Sequence, residues 1–191
     1  MTCDLDALRA EVVKKLPDRA AHILGVEETA VRLALQWGAD EFAARQAALL
    51  HDITKECSHF DQLKMAAKYG ILCRDEFDAF PAQAHAWTGA EVARHEYGVP
   101  DAVAEAIRNH TAGRAGMGLL DKIIYLADMI EPNRFFDGVE AIRREALQDL
   151  DSAILMAVGR SMIYLIQKSR MIHPASMEMY NGMISQASPG K

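Results

Sequence analysis

The chain has 191 residues, half of them hydrophobic, and a formal net charge of −6. That length and apolar content suit one globular domain with a sizeable core. The acidic balance argues against a general nucleic-acid binder, which carries a basic face, and no apolar run approaches the roughly 20 residues a membrane helix needs.

The elements read as helical nearly throughout. Asp4 to Leu16 forms a first helix stopped by Pro17. A longer helix starts near Asp18, with the apolar stripe Val26, Ala30, Leu33 and Trp37 at helical spacing, and Gly38 caps it. Asp40 caps the next helix, which carries Ala44, Ala47 and Ala48 toward His51. Ser58 to Tyr69 is helical and closed by Gly70, and Ile71 to Pro81 reads as a loop with at most one helical turn. Gln83 to Tyr97 is a helix ended by Gly98. Pro100 and Asp101 open another that runs to His110 and stops before Gly113. After the glycine-rich turn Arg114 to Gly118, the strongly apolar stretch Leu119 to Glu131 ends at Pro132. Val139 to Leu150 and Asp151 to Lys168 form two helices or one bent helix. Met156, Met162, Ile163 and Leu165 there fit either a core or a homodimer contact. Ile172-His173-Pro174 breaks the chain before a last helix, Ser176 to Ser185, and 187–191 reads as a disordered tail. With no credible strand pair, the fold class is all-α: one helical-bundle domain over residues 1–186.

The chemistry concentrates in a few residues. His51-Asp52 follows directly on the apolar run Ala47-Ala48-Leu49-Leu50. A histidine and a carboxylate leaving a buried stretch need a charge partner, and a divalent metal supplies one. Asp128 lies within Ile123-Ile124-Tyr125-Leu126-Ala127-Asp128-Met129-Ile130, near the negative end of its helix, where a cation is favoured. His22, four residues before Val26, shares the core-facing stripe of its helix. Each alone is as well explained as a satisfied core residue. Together, two imidazoles and two carboxylates form a mixed set suited to iron, manganese or zinc, and not to a thiolate structural zinc site. Cys3, Cys57 and Cys73 are odd in number and widely spaced, which fits reduced thiols in a cytoplasmic protein. The acidic N-terminus lacks a signal-peptide pattern.

Lys55, three residues after Asp52, can share its helical face, and Arg19 stands three residues before His22. With Arg134 beyond the Asp128 helix, these cations suit phosphate oxygens beside a metal; the alternative is plain surface charge. His85 and His110 either complete a second metal site bridged by Asp52 or serve as phosphate contacts or a general acid. His59 and His95 read as surface residues. His173 is a loop residue, a substrate contact or merely solvated.

The order His22, His51-Asp52, Asp128 resembles the metal signature of HD-domain phosphohydrolases. A closer similarity spans almost the whole chain. Arg19-Ala-Ala-His22, Leu49-Leu50-His51-Asp52-Ile53-Thr54-Lys55, His85 with Gly89-Ala90, and Ala106-Ile107-Arg108-Asn109-His110-Thr111-Ala112-Gly113 resemble the bacterial YqeK-like symmetrical bis(5'-nucleosyl)-tetraphosphatases. So do Leu126-Ala127-Asp128-Met129-Ile130-Glu131-Pro132-Asn133-Arg134, His173-Pro174 and Tyr180-Asn181. Ala112 departs from the second threonine frequent in that family. The resemblance implies an HD-type helical bundle that hydrolyses diadenosine tetraphosphate symmetrically to two ADP with one or two divalent ions, iron first. It implies His22, His51, Asp52 and Asp128 as metal ligands. It implies Arg19, His85, His110, Thr111, Arg134 and His173 as substrate contacts, and attack by a metal-activated water would make Asp52, Lys55 and Asp128 the catalytic set. Two other readings remain: an HD phosphohydrolase acting on a nucleoside monophosphate, dNTP or cyclic nucleotide, and a nucleotide-binding module without turnover. The expected partner is a dinucleoside polyphosphate or other nucleotide, with no nucleic acid and no membrane.

Overall fold

The computed structural model describes residues 4–71 and 74–187, and every regular element among them is helical. Helix α1 (Leu5–Lys15) is opened by Asp4, whose carboxylate accepts from the N–H groups of Asp6 and Ala7. A single 3-10 turn, Pro17–Arg19, then leads into α2 (Ala20–Trp37), so the long helix starts two residues later than its sequence signals suggest. Proline suits the start of a turn because it has no N–H to satisfy. Gly38, at φ 71°, ends α2 in a conformation that a side chain would strain. Asp40 caps α3 (Glu41–Leu50) by accepting from Ala43 N–H at 3.1 Å.

Beyond the site segment come α4 (His59–Tyr69), α5 (Arg74–Ala79), α6 (Ala84–Glu96) and α7 (Asp101–Asn109). The expected loop over 71–81 thus carries a helix of six residues. Then follow α8 (Leu119–Ile130), α9 (Val139–Glu145), α10 (Leu150–Gln167) and α11 (Pro174–Ala187). The alternative of one bent helix over 139–168 fails. α9 stops at Glu145, and Asp149 starts α10 afresh by accepting from Ser152 N–H at 2.9 Å. α11 begins at Pro174 and includes Ala187, whereas the rest of the expected tail and both Cys3 and Cys73 lie outside the described residues. Cys57 is an exposed free thiol.

Helices α2, α3, α7 and α8 pack on one another and hold the core, where Ile23, Leu33, Leu49, Leu50, Ile107, Ile123, Ile124 and Leu126 are fully buried. Each such side chain contributes about 1.5–3 kcal/mol by leaving water. α6 covers α7, α10 covers α8 and α9, and α11 covers α10. α10 is 18 residues long with a mean hydropathy of 1.2, the one described helix with the length and composition of a membrane span. Its Ala153, Ile154, Ala157 and Val158 are nevertheless buried in the protein core. α11 is held to the end of α7 by Ser176, whose hydroxyl donates to Ala112 O at 2.7 Å. The frame therefore places five helix ends together: the start of α2, the end of α3, the start of α6, the end of α7 and the end of α8.

Candidate metal centre

His22 sits in the first turn of α2, and His51 is the residue that ends α3. After His51 the chain leaves the helix. The N–H groups of Ile53, Lys55 and Cys57 each bond a carbonyl three residues back, at 3.1, 2.9 and 3.1 Å. Thr54 fixes this turn, donating to His85 O at 3.0 Å while its own carbonyl accepts from Gln62 at 2.6 Å. Lys55 and Asp52 consequently share a turn, not the helical face expected from their spacing. His85 lies in the first turn of α6, His110 ends α7, and Asp128 is in the last turn of α8.

These ends converge on Asp52, which is 2 % exposed. Its Oδ2 stands 3.2 Å from His51 Nε2 and 3.6 Å from His22 Nε2, and it also accepts from Arg19. Its Oδ1 stands 3.1 Å from His85 Nε2 and 3.7 Å from His110 Nε2. One carboxylate is thus shared by two ligand groups, His22–His51–Asp52 and Asp52–His85–His110. Asp128 Oδ1 closes the first group at 3.1 Å from His22 Nε2 and 3.9 Å from His51 Nε2.

The ring tautomers follow from carbonyl partners. His51 Nδ1 lies 2.6 Å from Ala48 O and His110 Nδ1 lies 2.6 Å from Ile107 O, so each must carry its proton there. Their Nε2 lone pairs then face inward, where His51 Nε2 meets His22 Nε2 at 3.2 Å and His110 Nε2 meets His85 Nε2 at 3.1 Å. Acceptors aimed at one another and at a carboxylate form a pocket for a cation. Orientation of each ligand ring by a backbone carbonyl is the usual support of a metal histidine. The donors are nitrogen and oxygen throughout, which suits a divalent transition ion.

The electrostatics differ around the cluster. Burial favours neutral His22, but its bonds to Asp128, Asp52 and Glu131 outweigh that and raise its pKa to about 9. Burial pushes the His85 imidazole the other way, down to about 4, against the pull of Asp52. Burial also favours protonated Asp52 and Asp128, yet the surrounding histidines hold both well below the usual carboxylate range. Burial lowers the Lys55 pKa, partly opposed by the charges of Asp52 and Asp128; its Nζ lies 3.2 Å from His85 Nε2. Arg134 grips Asp128 twice, through Oδ1 at 2.7 Å and the backbone carbonyl at 2.8 Å.

The sequence-predicted residues His22, His51, Asp52, Lys55, His85, His110, Asp128, Arg19 and Arg134 therefore come together. Thr111 adjoins His110 and is half-buried. His173 is not solvated. It is buried, packs its ring 4.6 Å from Phe80 and 5.9 Å from Trp87, and accepts from Ala175 N–H at 3.2 Å at the start of α11. His59 and His95 are exposed.

Residues 19–133 match the HD domain family. The chain belongs to that family. This HD-domain chain is 38 % identical over 168 residues to the symmetrical bis(5'-nucleosyl)-tetraphosphatase of Bacillus subtilis, covering 87 % of this chain and 90 % of that one. It is 40 % identical over 172 residues to the protein of the same name from Halalkalibacterium halodurans, covering 87 % and 89 %. A crystal structure from Clostridium acetobutylicum, described as a predicted HD superfamily hydrolase involved in NAD metabolism, superposes with a TM-score of 0.92 at 35 % identity, covering 97 % of this chain and all of that one.

Glu131 is a member of the site that sequence reasoning passed over. It is 1 % exposed, its Oε1 lies 3.2 Å from His22 Nδ1, and its Oε2 accepts from Asn133 N–H at 2.6 Å. A carboxylate behind a ligand histidine fixes the ring and raises its basicity. Gly25 makes room for it, because a Cβ there would come within 2.5 Å of Glu131 Oε2. The available signal was a glycine inside an otherwise regular helix, which marks a close approach.

Proposed function

We propose that this HD-domain chain hydrolyses diadenosine tetraphosphate symmetrically to two ADP, a reading that its relatives' name, symmetrical bis(5'-nucleosyl)-tetraphosphatase, supports. The observation that carries the reading is the carboxylate of Asp52 standing between two pairs of inward-facing histidines, with Arg19, Lys55 and Arg134 around it. His22, His51, Asp52 and Asp128 would hold one divalent ion, and Asp52, His85 and His110 a second. Iron is the proposed metal, with manganese and zinc as alternatives that the same donors accept. When bound, the metal supplies Lewis acidity and lowers the pKa of water toward neutrality.

The protein's own groups do the rest. Asp128, on the open side of the cluster, orients the attacking water in line with the second phosphorus from one adenosine. A new P–O bond forms there. The bond from that phosphorus to the oxygen bridging to the third phosphate breaks, and the bridging oxygen leaves with the other ADP. Arg19 and Arg134 offset charge that builds on the phosphate oxygens, and Lys55 faces the oxygen that leaves. His85, His110, Thr111 and the α11 start at His173 border the bound nucleotide.

The test is to incubate the metal-loaded protein with diadenosine tetraphosphate and separate the products. Two ADP per substrate is the expected result. AMP plus ATP, or no turnover with any of the three metals, would sink the reading.

A further inference from the structure

A second concavity is lined in part by Arg134. It is a groove of about 640 Å³ between the Arg134–Asp137 segment and α10, bordered by Met129, Arg134, Phe136, Asp137, Arg160 and Tyr164. That volume is in the range of small-molecule sites, roughly 300–1,000 Å³. Arg134 belongs to both places. Its guanidinium is bonded to Asp128 of the metal centre and also lines the groove. A phosphate chain crossing Arg134 would reach the groove.

The groove's chemistry fits a nucleoside. Phe136 and Met129 are half-buried and give it an apolar floor. The Arg160 guanidinium stands 5.8 Å from the centre of the Phe136 ring, a cation–π distance. Tyr164 is one helical turn further along α10, on the same face as Arg160, and is 51 % exposed. Aromatic faces and a flat guanidinium are the groups that stack on a nucleobase. Asp137 adds an acceptor for an amino or hydroxyl group at the rim. Of the two arginines that line the groove, Arg134 is already paired with Asp128, so Arg160 and Asp137 set its local charge.

We propose that this groove seats the nucleoside of the half of the substrate that carries the attacked phosphorus, with Arg160 and Tyr164 as its specificity-determining residues. The inference rests on the dinucleoside polyphosphate reading above. A hydrolase that cuts the middle of a symmetrical molecule must hold both ends. The His85, His110 and Thr111 side takes one nucleotide, and the groove beyond Arg134 takes the other. The exposed Ile163 and Ile166 beside it offer a competing use, contact with a second copy of the chain, so the experiment must separate the two.

The full-length, metal-loaded protein is compared with the variants Arg160→Ala/Tyr164→Ala and Tyr164→Phe. Steady-state hydrolysis of diadenosine tetraphosphate, metal content, thermal unfolding and sedimentation are measured together. The double variant should raise KM by about tenfold or more, the scale of a lost base stack. Its kcat should change little, and its metal content and unfolding temperature should not change. Tyr164→Phe should restore most of the loss contributed by Tyr164, since the ring remains. An unchanged KM overturns the subsite. So does a fall in kcat that tracks lost metal, lost stability or dissociation of a dimer. A wild-type protein with no turnover would sink the function itself, whereas an active wild type with an unaffected double variant sinks only this inference.

Discussion

The two sides of Asp52 are built to opposite electrostatic plans. On the side of Oδ2, His22 and His51 are joined by Asp128, Glu131, Arg19 and Arg134, so carboxylates and cations compensate one another. On the side of Oδ1 there are two buried imidazoles and the nearby Lys55, and among the described residues no second carboxylate bonds either ring. The first half attracts a proton strongly, as the raised pKa of His22 shows, while burial keeps His85 neutral well below pH 7. An ion on the first side meets two carboxylates; an ion on the second depends on Asp52 and neutral nitrogens. The ion beside His85 and His110 is thus expected to be the weaker-held of the two and to leave first under a chelator.

The sharpest break is Asp52→Ala. It removes the shared ligand from both halves, so bound metal should fall below one ion per chain and activity should drop by roughly 10³-fold or more. Elemental analysis beside product chromatography checks both, and retention of two ions would refute the shared role. His85→Ala tests the halves separately. It should lower metal content from two ions to one and reduce turnover on the order of 10²-fold, leaving the His22 side loaded. Loss of both ions from this variant would mean the halves are not separable.

Glu131→Gln probes the support of the first half alone. It keeps the shape, weakens the hold on His22, and should lower metal affinity about 10–100-fold, read by competition with a chelator. An unchanged affinity would reduce Glu131 to a packing residue. The smallest expected effect concerns pH. In chelator-treated protein the His22 pKa lies at about 9, raised from 6.5. The stability that its proton contributes is complete below pH 6.5 and is lost as pH rises through 9. Metal takes the same nitrogen only after that proton leaves, and bound metal stabilises by mass action. The gap in unfolding temperature between metal-loaded and chelator-treated protein should therefore widen from pH 6.5 to 9. A constant gap would place the proton elsewhere.

How much of this was legible in the sequence depended on how each residue announces itself. Asp128 stood out because an aspartate among Ile124, Leu126 and Ile130 demands a partner. His51-Asp52 stood out because it ends an apolar run. The helices were readable wherever a cap or glycine marked the end, as at Asp40 and Gly38. Glu131 was not, because a glutamate beside Pro132 is also an ordinary helix terminus, and only the fold brings it behind His22, 109 residues away. The position of His173 also escaped, since its neighbours Phe80 and Trp87 are distant in sequence. Lys55 was read on the right side of the site for a partly wrong reason. Its spacing implied a helix, but Thr54 pins the chain into turns through His85, a contact invisible to local patterns.

Gly25 carries no functional group, yet the space above its Cα is occupied by a carboxylate oxygen. An added methyl group would compete with Glu131 for that volume and would push on the ring that Glu131 steadies. In a systematic substitution scan, this position would score with the chemically active residues, although nothing about its own chemistry earns it the place. Its contribution is an absence of atoms.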